Sequence, residues 1–365
     1  MEIRAVVSRG KGQFKVENLT LSAPGKGEVL VKLTACGICH TDEAMLNRET
    51  RPQVGFVMGH EGAGVVEAVG AECKEFAVGD HVILAFPSCG CCTPCQDGHP
   101  YACAQTPKLF FDGSSTEGKQ KISDGTSDEI GVFFGQGSLS TYSVVSERNA
   151  VKVPKEADLK EICGLACGLQ TGSGTVLNRM EPKQGSSIAV FGCGAVGLSG
   201  VMAAKIAGCK TIIAVDLLQS RLDTALDCGA THVINGKDSE LLTKIMQITN
   251  GAGVNFVLEA SGATVLYETI LDSLSILGLC VVVGMTNGKI VPINTEGKLM
   301  HKCATLAGLL EGGSNPKEFI PKMVKYYMDG KFPLDKLVEF YPFDRIEEAF
   351  EDGRSGKTIK PVVVF

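Results

Sequence analysis

From residue 3 to residue 85 apolar and polar positions alternate in short runs punctuated by Gly and Pro, as in Glu28-Val29-Leu30-Val31-Lys32-Leu33, Gly64-Val65-Val66-Glu67-Ala68-Val69 and His81-Val82-Ile83-Leu84. Alternation of period two predicts half-buried strands, so this part of the chain reads as a compact β-rich domain. The β pattern resumes from Phe133 through Ser140-Thr141-Tyr142-Ser143-Val144-Val145 and ends at Val153-Pro154. Between the two, Asp112 to Asp128 is a polar stretch that predicts a solvated loop.

Past Ile162 the period changes. Ser187 to Asp216 begins with the apolar run Ile188-Ala189-Val190, passes through Gly192-x-Gly194-x-x-Gly197 into a small-residue helix pattern, and closes on a second buried run. Strand patterns follow at His232-Val233-Ile234, Val254 to Glu259, Leu279 to Gly284 and Thr305 to Leu310, separated by helical stretches such as Arg221 to Leu226 and Leu241 to Ile248. Strands alternating with helices predict an α/β fold with a doubly wound parallel sheet of six strands. Pro316 to Met328 predicts a helix, and Lys357 to Val364 a last strand that returns to the first domain. The expected division is 1–168 with 311–365 for the β-rich domain and 169–310 for an inserted nucleotide-binding domain, the crossover running through Gly168 to Gly174 into a helical TVLNRM.

The glycine triplet carries the first chemistry. Gly192 permits a tight turn, Gly194 lets a pyrophosphate approach the backbone, and Gly197 lets helix and strand pack closely, with the helix N-terminus facing the anion. Asp216, about twenty residues further on, is placed to accept from both hydroxyls of a ribose and to repel a 2′-phosphate, which favours NAD over NADP. Arg221 pairs with that ribose or is an ordinary exposed helix residue.

Fifteen cysteines need a reason in a chain of 365 residues, 44% hydrophobic and 21% charged. Cys89-x2-Cys92-x2-Cys95-x7-Cys103 supplies four thiolates in a short loop, enough for a closed tetrahedral zinc that staples a lobe at about 88–104. Cys91, between ligands, leaves a second register open. Cys36-Gly37-Ile38-Cys39-His40-Thr41-Asp42 follows a strand and Gly59-His60-Glu61-Gly62 precedes one, so Cys39, His40, His60 and Glu61 are further zinc-competent groups. Cys36, Cys73, Cys163, Cys193, Cys209, Cys228, Cys280 and Cys303 sit in apolar contexts and read as small buried hydrophobes. A net charge of -6 argues against nucleic acid or an anionic membrane as partner. No run of eighteen apolar residues occurs and Met1-Glu2-Ile3-Arg4 opens as a strand, so a cytoplasmic location is expected.

GICHTD, GHEGAG, the four-cysteine lobe, Cys167 in the crossover and GxGxxG stand in the order and spacing of the zinc-dependent medium-chain alcohol dehydrogenases, which the chain resembles over its whole length. GLACGLQTGSGTVLN, GVNFVLEASG, EGGSNPKEFIP and GKFPLDKLVEFY look most like the aryl-alcohol (benzyl alcohol) branch. The resemblance implies a GroES-like catalytic domain and a Rossmann domain, with two zinc ions per subunit. It implies a catalytic zinc on Cys39, His60 and Cys167, with Asp42 and Glu61 behind the ligands and Asp42 accepting from His60. As a first-turn acid, Asp42 also suits the helix dipole.

By the same resemblance Thr41 is the hydroxyl that takes the alcohol proton. Ala44 stands where a relay histidine is common, so proton release runs through solvent, the ribose hydroxyls or His40. His40, and less strongly Lys360, are implied pyrophosphate contacts, and Thr171 and Val196 back the nicotinamide. Ala85 stands near where many ethanol-active relatives carry a bulky aromatic, and Phe86, Phe110, Phe111 and Leu309 are either apolar walls for an aromatic or allylic primary alcohol or ordinary core. Glutathione-dependent formaldehyde oxidation or another aliphatic alcohol dehydrogenase is the alternative within the family, and a noncatalytic zinc-stabilised binding protein the alternative outside it. A homo-oligomer, dimer or tetramer, fits an open edge at Thr305 to Leu310.

Overall fold

A computed structural model of the protein describes residues 1–48, 55–113, 121–126 and 129–365, in two compact units. The first joins Met1–Cys167 to Asn315–Met328 and Leu337–Phe365, and the second comprises Gly168–Ser314 with Asp329–Lys336. The chain thus re-enters the first unit at Asn315 rather than at 311, and 329–336 stays with the second.

Within the first unit, strands Glu2–Gly10, Gln13–Leu21, Ile122–Ser123, Glu129–Val132 and Gly55–Val57 close a barrel in that order. Ile122–Ser123 corrects the reading of 112–128 as loop: Ile122 is buried, pairs with Leu21 and Ile130, and contributes to the barrel core. A single apolar residue in a polar run has no period, so pattern alone misses it. Residues 114–120 and 127–128 of that stretch lie outside the described residues.

A seven-stranded sheet forms the rest of this unit's β structure, in the order Ala150–Val153, His81–Leu84, Glu61–Val69, Glu28–Gly37, Lys360–Val364 and Val338–Pro342, with Tyr142–Ser146 also on Glu28–Gly37. Glu28–Gly37, buried everywhere except at Lys32 and Thr34, pairs with Glu61–Val69 along one edge, while on the other its first half takes Tyr142–Ser146 and its end takes Lys360–Val364. It ends at Gly37, opposite Glu61 in register. A Cβ there would lie 2.1 Å from Glu61 Oε2, so the carboxylate passes over bare backbone. Phe133–Gly135 is a 3-10 turn with Phe134 left-handed at φ 51, not the resumed strand that the pattern suggests.

The second unit is a six-stranded parallel sheet in the order His232–Asn235, Thr211–Asp216, Ser187–Phe191, Val254–Glu259, Leu274–Val282 and Thr305–Gly308. The direction of winding reverses between Ser187–Phe191 and Val254–Glu259, the point where such sheets bind ligands at their carboxyl ends. Phe191, Ile213, Val215, Ile245 and Val257 are part of the core. The α/β expectation with a β-rich domain and six parallel strands therefore holds. Thr175–Met180, expected as an ordinary helix, is π-helical and continues the helix Gly168–Gly174. Of the cysteines read as buried, Cys303 is exposed and Cys73 and Cys209 are half-buried. Among the described residues no helix is long and apolar enough to cross a membrane.

Candidate active site

Three separate segments of the first unit converge. The strand Glu28–Gly37 delivers Cys39 to the start of the helix His40–Leu46, His60 precedes the strand Glu61–Val69, and Cys167 follows the 3-10 turn Cys163–Ala166. The ligand atoms of Cys39, His60, Glu61 and Cys167 all lie within 4.8 Å of one another. Gly59, left-handed at φ 92, allows the close approach: a Cβ there would come within 2.3 Å of the Leu139 backbone nitrogen.

Asp42 organises this point from both sides. Its Oδ2 accepts from the Cys39 N–H at 3.0 Å, holding the helix start, and its Oδ1 accepts from the Gly59 N–H at 3.1 Å. Oδ2 also lies 3.1 Å from His60 Nδ1, both side chains fully buried. Asp42 is therefore both a first-turn acid and the partner of the imidazole. Both His60 nitrogens are buried and neither meets hydrogen-bond geometry among the described residues; Nδ1 has the Asp42 carboxylate beside it, and Nε2 has no such neighbour. A buried imidazole nitrogen without a partner, facing two sulfurs, fits a metal of zinc's ligand preference.

The electrostatics favour thiolate. Hydrogen bonding with Cys167, opposed by burial and aided by the charge of Lys360, holds the Cys39 thiol well below its ordinary value. Burial alone would lower His60, but the charge and hydrogen bond of Asp42 outweigh it and raise the imidazole. Burial raises the Glu61 carboxyl, with Lys360 opposing. Thr41 Oγ1 stands 3.6 Å from Cys39 Sγ.

Lys360 departs from expectation. It is 2% exposed, and its ammonium donates to Glu61 Oε1 at 2.9 Å, Glu61 Oε2 at 2.8 Å and the Ile38 carbonyl at 3.2 Å. With all three protons committed it is not a pyrophosphate contact but the counter-charge of Glu61. The signal was a lysine set in the apolar run before Val362-Val363-Val364. His40, by contrast, is exposed at the helix start.

Cys89, Cys92, Cys95 and Cys103 form the second cluster, with sulfur separations of 3.4 Å (Cys92–Cys95) and 4.0 Å (Cys89–Cys95 and Cys92–Cys103). Cys91 is exposed and outside it. Backbone N–H groups of Cys89 and Gln105 donate to Cys103 Sγ, that of Cys92 to Cys89 Sγ and that of Ala104 to Cys92 Sγ, at 3.3 to 3.4 Å. Such donors, led by the Cys91 N–H, bring Cys89 down to about 6, while burial pushes Cys95 up to about 12. Four sulfurs with no fifth ligating group among the described residues fit a closed zinc site.

In the second unit Gly192 is left-handed at φ 90, and a Cβ on Gly197 would lie 1.8 Å from the Gly192 carbonyl oxygen. A Cβ on Gly194 would meet only Arg221 Nη1, at 4.0 Å. Arg221 is half-buried over this open space, its Nε buried without a hydrogen-bond partner among the described residues, so it is not a plain surface residue. Asp216 ends its strand beside the turn, Oδ2 accepting from the Cys193 N–H at 2.7 Å and Oδ1 from the Leu218 N–H at 3.0 Å. Open backbone, an unsatisfied guanidinium nitrogen and a carboxylate at the strand end fit an anionic dinucleotide. Thr171 and Val196 are half-buried on adjoining helices, where a Cβ on Gly172 would come within 1.8 Å of the Val196 oxygen.

Between pocket wall and core, burial favours core for most of the apolar candidates. Ala85, Phe86 and Phe110 are core, the last stacked on Phe134 at 4.1 Å, and Phe111 is half-buried against the same cluster. Leu309 is half-buried in the other unit. Reading by residue type also missed Phe133 and Phe134, whose ring centres lie 5.2 and 4.6 Å from that of His60. Their sequence signal was two aromatics running into Gly-Gln-Gly.

A β-rich unit that gathers sulfur and imidazole donors, together with a doubly wound unit that bears a dinucleotide turn, defines a metal-binding dehydrogenase. Residues 25–155 match the alcohol dehydrogenase GroES-like domain and 195–326 the zinc-binding dehydrogenase domain. The chain is 35% identical over 363 residues to geraniol dehydrogenase of Castellaniella defragrans, covering 99% of this chain and 97% of that one. Benzyl alcohol dehydrogenase from Acinetobacter calcoaceticus is 40% identical with a TM-score of 0.95, covering 100% of this chain and 99% of its own. An alcohol dehydrogenase zinc-binding domain protein from Burkholderia ambifaria is 42% identical with a TM-score of 0.96, at the same coverage. The chain belongs to the zinc-dependent medium-chain alcohol dehydrogenase family.

Proposed function

We propose that the protein interconverts a primary aromatic or allylic alcohol and its aldehyde, using NAD and two zinc ions per subunit, as a cytoplasmic dimer or tetramer. The observation that carries this reading is the convergence of Cys39, His60 and Cys167 with His60 Nδ1 on Asp42 and Nε2 unpartnered. When bound, zinc supplies Lewis acidity toward an alcohol oxygen and the nicotinamide supplies the hydride acceptor.

The chain's own part is positioning and proton handling. Asp42 fixes the tautomer of His60 so that Nε2 is the ligating atom. Thr41 takes the hydroxyl proton beside Cys39. Ala44, exposed and without a titratable group, offers no onward relay, so the proton leaves through solvent, a ribose hydroxyl or exposed His40. Asp216 and Arg221 hold the adenosine ribose, with the pyrophosphate on the backbone at Gly194. The four-cysteine lobe holds the second zinc and has no position for substrate. Support for the substrate class comes from the relatives: benzyl alcohol and geraniol both carry an unsaturated carbon next to the carbinol. The edge of the strand Thr305–Gly308, unpaired among the described residues, suits pairing with a second copy.

Metal analysis with a steady-state panel tests this. Two zinc ions per chain are expected, with higher kcat/KM for benzyl alcohol or geraniol with NAD than for ethanol or S-hydroxymethylglutathione. Preference for the glutathione adduct would overturn the substrate class, and preference for NADP would overturn the role of Asp216.

A further inference from the structure

We propose that Phe134 is a positioning residue for His60: a left-handed turn holds its ring over the imidazole and sets the tilt at which Nε2 is presented. This rests on the reading of His60 as a metal ligand.

Phe134 sits at φ 51 and ψ 32 and is 3% exposed. Among the described non-glycine residues with positive φ it is the one aromatic. A bulky side chain is strained in this region and stays there only where its surroundings over-determine it. Those surroundings are a strap, Phe133 to Leu139, laid along Met58 to Gly62. Leu139 N–H donates to the Met58 carbonyl at 2.8 Å, Ser138 N–H to the Gly59 carbonyl at 3.0 Å, and Gly62 N–H to Gln136 Oε1 at 3.4 Å. Gln136 Nε2 in turn anchors on the Leu84 carbonyl at 3.1 Å. Gly135 and Gly137, both left-handed, make the strap's turns possible.

The strap encloses the imidazole in rings. Phe134 lies 4.6 Å away at 33° and Phe133 stands edge-on at 5.2 Å and 80°. Phe110 backs Phe134 at 4.1 Å and 30°, so the ring has little room to withdraw. Asp42, 3.1 Å from Nδ1, fixes which nitrogen points away from it, but that single contact leaves the imidazole free to pivot about it. A flat ring against one face and an edge against another remove the pivot.

The test compares wild type with Phe134→Leu, which keeps apolar bulk without a flat face, and Phe134→Gly, which relieves the backbone and removes the ring. Co(II) replaces zinc, and the bands that Cys39→Ser removes are assigned to the His60 site, which separates them from those of the four-cysteine lobe, whose Cys103 shares an apolar cluster with Phe134. Both variants are expected to shift the Co(II) ligand-field bands and to release zinc from this site to a chelator about tenfold faster, the lower end for loss of a group that orients a ligand. They should also lower kcat more than they raise KM for NAD. Unchanged bands and release rates in Phe134→Leu, with only a lower Tm, would reduce Phe134 to core packing and overturn the proposal. Should Phe134→Gly not fold, Phe134→Leu decides alone. Wild-type protein that takes up metal only at the four-cysteine lobe would overturn the reading of His60 as well, which separates the two failures.

Discussion

The two sulfur clusters of the first unit are built on opposite plans. Cys89, Cys92, Cys95 and Cys103 come from one short stretch, stay largely near the surface, and owe their charge balance to backbone N–H groups of the same loop. Cys39, His60 and Cys167 come from three segments, and their balance comes from buried side chains: Asp42 on His60, and Lys360 on Glu61. The first plan supplies backbone donors to the sulfurs of Cys89, Cys92 and Cys103 from within the loop. The second leaves an imidazole nitrogen unpartnered and depends on charges that only the assembled sheet brings together. A loop can specify a closed site; an open one needs the whole unit to hold it.

The sharpest way to break that contrast is to remove one sulfur from each cluster. Cys39→Ser should abolish turnover and move the thermal midpoint by a few degrees at most. Cys95→Ser should lower the midpoint steeply, since structural zinc contributes folding energy outright and each kcal/mol is worth about 2–4 °C in a domain of this size. Equal loss of midpoint from both, read by calorimetry, would erase the distinction.

Next in size is Lys360→Met, which leaves Glu61 buried without its partner and should cost about 3–5 kcal/mol in denaturant unfolding. Adding Glu61→Gln should recover most of it. A double variant as unstable as the single would mean that the ammonium's bond to Ile38, not the ion pair, is what matters. The smallest expected effect is that of Asp42→Asn, which should weaken zinc at the His60 site about 10–100-fold and leave the lobe's zinc in place. Metal titration against a graded chelator would show it, and parallel loss from both sites would argue that Asp42 acts on the fold and not on the imidazole.

Elements with a strong local period were legible from residue order: His81–Leu84, Val254–Glu259 and Pro316–Met328 occupy the ranges their patterns predict. Ile122–Ser123 was not, because its one buried side chain finds its partners in Leu21 and Ile130 on the neighbouring strands of the barrel. Phe86 and Phe110 read equally as pocket wall or core by residue type, and only their neighbours make them core. Lys360, a pyrophosphate contact by resemblance, becomes an inward counter-charge once the sheet sets Glu61 against it.

By itself the sequence determined what depends on near neighbours: the period of strands and helices, the glycines of a tight turn, and cysteines spaced closely enough to share an ion within one loop. Tertiary structure alone decided which charge answers which, that Lys360 turns inward to Glu61, and that Phe134 lies over His60. Burial and distance between remote segments set those outcomes, because a group's protonation and partners are properties of its surroundings and not of its place in the chain.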